Sequence, residues 1–147
     1  MNSSLTTGQT LRWTLAPLLT MFVLQRLYLQ LVRIQHLHAG GYLIHHLFIG
    51  CVVVILAAFC LAFGLHGPWQ TRLTLATLGI GSAMVLDEVT YLVATGASDT
   101  DYRSSVSLWG AIVLISLVTL FLVGLYRFQS CCVAKRNGGS PSAASPS

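Results

Sequence analysis

Two adjacent carboxylates, Asp87 and Glu88, interrupt the apolar run GIGSAMVLDEVTYLVATG. Four histidines, His36, His38, His45 and His46, crowd the segment HLHAGGYLIHH. Imidazole is the commonest metal ligand and the usual proton carrier near neutral pH. Sets that mix imidazole with carboxylate suit zinc or a non-haem iron. An acid at the centre of a hydrocarbon span costs ~2.5–3.5 kcal/mol, so its default reading is functional. Successive helix residues point ~100° apart, so Asp87 and Glu88 can share one centre only if both face a bundle interior.

The connection at Gly67-Pro68 is short, so the apolar runs on either side of it form an antiparallel pair. His45 and His46 open the first of these runs, and Asp87 and Glu88 lie beyond the middle of the second. Both groups therefore fall in one leaflet. At a rise of ~1.5 Å per residue, His45 sits ~5 Å and Asp87 ~13 Å below the membrane edge. His38 approaches from the loop above. Tyr91, four residues after Asp87, shares its face and can donate a hydrogen bond to it.

The expectation is a polar centre of His38, His45, His46, Asp87 and Glu88, with His45 or His46 within direct or one-water reach of an acid. As an enzyme it would act on a lipidic or amphipathic substrate. A divalent metal would polarise the substrate or activate water, with Asp87 or Glu88 as ligand or general base and His45 beside them. Arg26, Arg33 and Tyr91 are the candidate substrate or lipid contacts; the two arginines would hold a lipid phosphate or snorkel to the interface. The competing reading is non-enzymatic: a transporter or assembly protein. There the Asp/Glu/His set is a proton or cation relay, or pairs with Arg26 or Arg33 as interhelical glue. A transporter of this size implies a homo-oligomer. His66 reads as interfacial, and a bis-histidine haem from His45 and His66 is excluded because they bound opposite ends of one span.

The elements that must position these groups are apolar helices. Of 147 residues, 54% are hydrophobic and 8% charged, against ~25% charged in a typical soluble domain. Mean hydropathy is +0.73. A soluble single-core fold, a disordered chain and a coiled coil are excluded. The net charge of +4 is spread without an aromatic-interleaved basic patch, so no nucleic acid is implied. Runs at 42–64, 73–96 and 106–128 each supply the ~20 apolar residues a span needs. A fourth, 14–34, contains Pro17, Gln25, Arg26, Gln30 and Arg33. Arg26, Gln30 and Arg33 share one face beside an apolar stripe of Leu24, Leu27, Leu31 and Ile34. This segment spans with its polar face turned inward, or lies in the interface as an amphipathic helix.

The expected fold is thus an all-α membrane protein, a bundle of four transmembrane helices or three plus one interfacial helix. It forms a single domain over 1–134 with a disordered Gly/Ser/Pro-rich tail over 135–147. Gly79 and Ala83 give a small-residue face for close helix approach. Trp13, Trp69 and Trp109 fall near span ends, as an aromatic belt expects. The N-terminal segment has no small-x-small cleavage site and reads as retained. Cys51 and Cys60 share one run and Cys131 and Cys132 are adjacent, so no disulfide framework exists; the latter two read as juxtamembrane or acylated cysteines. Arg127, Lys135 and Arg136 favour a cytoplasmic C-terminus.

The segments HLHAGGYLIHHLFIG, LGIGSAMVLDEVTYLV and DTDYRSSVSLWGAIVL together resemble an uncharacterised group of small bacterial integral membrane proteins. That group pairs a histidine-rich loop and helix start with a Gly-rich helix ending in Leu-Asp-Glu, followed by an acidic-aromatic loop. The resemblance runs from about Arg33 to Leu117. It implies a bacterial inner-membrane location and places His38, His45, His46, Asp87 and Glu88 in a shared core. It implies no activity. Asp101-Tyr102-Arg103 departs from the pattern, which has a second aromatic after the tyrosine.

Overall fold

The computed structural model describes residues 5–31, 37–39, 42–44, 46–64, 67–94 and 104–138. It contains four helices, α1 (Thr7–Leu31), α2 (His46–Ala62), α3 (Pro68–Ala94) and α4 (Ser105–Gly138). Between α1 and α2 lie two short antiparallel strands, β1 (Leu37–Ala39) and β2 (Tyr42–Ile44), with Leu37 opposite Ile44 and His38 opposite Leu43.

Local chemistry sets the helix starts. Thr6 and Gln9 form a reciprocal capping box: the Thr6 hydroxyl accepts from the Gln9 N–H (3.3 Å), and Gln9 Oε1 accepts from the Thr6 N–H (3.1 Å). That box starts α1 seven residues ahead of the expected Thr14. At α3, Pro68 occupies the first helical position, where its missing N–H costs nothing, and Gln70 reaches back to the Gly67 N–H (3.1 Å). At α4, the Ser104 hydroxyl accepts from the Ser107 N–H (3.2 Å). α2 is stopped two residues past Ala62 by Gly64, whose φ of 68° is the left-handed turn that ends a helix. α2 begins at His46 rather than at Tyr42, because Tyr42–Ile44 pairs with β1. α4 runs to Gly138, past Lys135.

α3 is the central helix and packs against α1, α2 and α4, while α1 also touches α4. Two glycines on nearly opposite faces of α3 make this packing possible. A Cβ on Gly79 would lie 2.3 Å from the Thr14 carbonyl oxygen of α1, and one on Gly81 would lie 3.0 Å from the Gly50 carbonyl oxygen of α2. Backbones in such contact leave no room for a side chain. Ala83, one turn after Gly79, completes the small-residue face and packs with Leu18 and Ile115.

The radial distribution of side chains is inverted relative to a water-soluble bundle. Asp87, Glu88, Ser107 and Gln25 are buried, while Leu24, Leu27, Leu31, Phe48, Val52, Phe59, Val113, Leu117 and Phe121 face outward. On α1 the apolar stripe of Leu24, Leu27 and Leu31 is therefore the outer face. Pro68–Val93 and Ser105–Val133 are long and apolar enough to cross a membrane, and the most apolar stretch of the second is only 17% buried. That exposure separates it from the core helix of a soluble protein. α2 is apolar but shorter, ~26 Å for its 17 residues. α1, of 25 residues, carries Gln9, Arg12, Gln25, Arg26 and Gln30.

Candidate functional site

Asp87 lies in the last two turns of α3, completely buried. Arg26 of α1 meets it: Nε stands 2.6 Å from Asp87 Oδ1, with 12% of the arginine side chain exposed. The same guanidinium reaches the start of α4. Its Nη2 donates to the Ser107 carbonyl (3.1 Å) and to the Ser107 hydroxyl (3.4 Å). One turn before Arg26, Phe22 places its ring 5.9 Å from the guanidinium carbon. One arginine thus ties three helices together. The directional guanidinium fork suits this task, since it bonds a carboxylate and other acceptors at once.

Glu88, the next residue, turns to a different helix. Its Oε2 accepts the Leu47 N–H at the start of α2 and lies 3.4 Å from His46 Nδ1. The first-turn amides of a helix have no intrahelical partner and carry its positive dipole end. Glu88 therefore caps α2 from outside, supplying the acceptor that no residue of α2 supplies. Its side chain is 1% exposed, whereas His46 is 38% exposed. The histidine is the half-open rim of an otherwise closed contact.

The sequence-based expectation of imidazole meeting acid is met by His46 and Glu88. The ~100° between neighbouring helix positions divides the two acids, with Asp87 bound toward α1 and Glu88 toward α2. Arg26, read as lipid contact or as partner of the acids, takes the second role. Tyr91 is buried against Leu29, which removes it from any lipid-facing surface. His38 lies on β1 opposite Leu43. His36, His45, His66 and Arg33 lie outside the described residues. Among the described residues no group of three or more His, Cys, Asp or Glu is placed to hold a metal ion, and His46 and Glu88 are the two members of the expected set that meet.

Sequence reasoning missed three participants. The Leu47 amide is invisible as chemistry because it acts through the backbone, and Ser107 because its carbonyl and hydroxyl belong to an ordinary first-turn serine. Gln25 is buried, and neither of its amide atoms finds a hydrogen-bond partner among the described residues. Its position beside Arg26 was the only available signal.

Three cavities lie among the described residues, and none of these three is lined by Asp87, Glu88 or His46. One of about 680 Å³ lies between α1 and α3, with Arg12, Trp13 and Arg72 in its wall. One of about 700 Å³ lies between α3 and α4. One of about 330 Å³ lies where α2, α3 and α4 approach. Both acids are buried. No protein-family model matches the chain, and no curated protein and no solved structure matches it.

Proposed function

We propose that the chain is a four-helix integral membrane protein with a non-enzymatic assembly role, its intramembrane charges holding the helices in register. The observation that carries this reading is the division of the two buried acids, each bound to a different helix. In lipid, apolar side chains gain little from associating with one another, so packing and polar contacts must specify the arrangement. The outward apolar faces support burial of all four helices in a bilayer. Arg12, Arg72 and Arg127 gather at the end opposite the acids, which supports a cytoplasmic placement of both termini. Membrane lipids and further copies of the chain are the partners this implies.

A second reading rests on the half-exposed His46 beside Glu88. With His38 and His45 near in the chain, that pair would form part of a zinc or iron site, and the protein would be a metal-assisted membrane enzyme. Metal analysis of the purified protein separates the two. The assembly reading predicts no stoichiometric zinc or iron and an unchanged melting temperature on chelation. A metal bound at about one per chain and lost in His46→Ala would replace it with the enzymatic one.

A further inference from the structure

Two arginines and, among the described residues, no carboxylate line the cavity between α1 and α3. Arg12 and Arg72 both line it, together with Gln9, Trp13, Pro17 and Leu24. Arg72 stacks over Trp13, its guanidinium carbon 5.8 Å from the ring. Its Nε is buried without a hydrogen-bond partner among the described residues. Asp87 is fifteen positions from Arg72 along α3, ~22 Å at the helical rise. Tyr126 packs against Gly8, so Arg127 adds further positive charge at this end.

We infer that this cavity is a binding site for one anionic glycerophospholipid, its phosphate held by Arg12 and Arg72 and an acyl chain lying along the apolar wall of Pro17, Met21 and Leu24. The inference rests on the membrane reading above. Its shape is amphipathic in the right order: guanidiniums and an indole at the helix ends, apolar residues toward the middle. A guanidinium fork pairs well with phosphate oxygens, and a buried N–H without an acceptor gains one when they arrive. Trp13 sits where indoles meet headgroups. A free phosphate would satisfy the arginines but leave the apolar wall uncovered.

The test uses the purified full-length protein in neutral detergent micelles, with retention of added lipid read by native mass spectrometry. Phosphatidylglycerol should be retained, phosphatidylcholine much less, and inorganic phosphate not at all. The Arg12→Ala/Arg72→Ala variant should weaken phosphatidylglycerol binding about 25-fold, at roughly fivefold per cationic side chain near an anionic headgroup. Arg127→Ala, which removes a charge at this end but none from the cavity wall, should weaken it less than Arg12→Ala or Arg72→Ala. Ala16→Trp, which fills the groove and keeps both guanidiniums, should also abolish retention, and serves if the double variant fails to fold. Equal retention of the two lipids, phosphate binding as tightly as lipid, or wild-type affinity in the variants would overturn the inference. Release of the chain from alkaline-washed membranes would instead overturn the membrane reading itself.

Discussion

Arg26 Nε lies 2.6 Å from Asp87 Oδ1, joining α1 to α3 at a point where the acid has no exposure at all. The arginine also holds the first turn of α4 through Ser107. A buried ion pair contributes little over an apolar replacement of the same volume, but removing one member leaves an uncompensated charge in a low-dielectric interior. The pair therefore acts as a device for register more than for raw stability.

The Glu88 contact predicts a local effect. Glu88→Ala removes the acceptor for the Leu47 N–H and the partner of His46, and should cost about 1–3 kcal/mol. Amide hydrogen exchange should accelerate most in the first turn of α2. Glu88→Gln keeps a carbonyl oxygen and should recover part of the loss. His46→Ala should cost less than Glu88→Ala, because the imidazole is 38% exposed. Equal exchange rates in wild type and Glu88→Ala would remove the cap.

The α1–α3 approach predicts a steric asymmetry between glycines. Gly79→Ala places a methyl 2.3 Å from the Thr14 carbonyl oxygen, so the helices must separate, at a cost of about 1–3 kcal/mol. Gly124→Ala meets nothing within 4 Å and should be neutral or slightly stabilising, since alanine favours the helix. Thermal unfolding of the two variants in one detergent decides the matter, and similar midpoints would contradict the packing described.

Gln25 predicts a gain. Its amide atoms are buried with no hydrogen-bond partner among the described residues, so their desolvation is uncompensated. Gln25→Met, of similar volume, should raise stability by about 1–2 kcal/mol. A loss of that size would reveal a partner for the amide in the assembled membrane protein.

Much of this site was legible from spacing. Counting helical rise along two antiparallel runs put the His45–His46 start and the Asp87–Glu88 pair in one leaflet, and His46 does meet Glu88. The same count applied to α1 would have found the other pair. Arg26 is five residues from the end of α1 and Asp87 seven from the end of α3, depths of ~8 and ~10 Å. What spacing does not determine is rotation about the helix axis. Whether Arg26 turns to lipid or to Asp87 depends on how closely α1 and α3 approach, which Gly79 and Thr14 set. The early start of α1 was readable in Thr6 and Gln9, whose three-residue separation marks a capping box. The strand pair before α2 was hidden because HLHAGGYLIHH reads equally as a loop leading into an apolar run. Four membrane crossings remain a proposal, since two helices reach the length and apolarity that crossing requires.

A double-mutant cycle on Arg26 and Asp87 tests the account most directly. Unfolding free energies are measured in micelles for wild type, Arg26→Met, Asp87→Leu and the double variant. Each single change should cost about 3–5 kcal/mol, and the double change much less than their sum, because no unpaired charge remains. Single-variant losses that add to within about 0.5 kcal/mol would show that the two side chains act independently, and would contradict a helix lock built on their pairing.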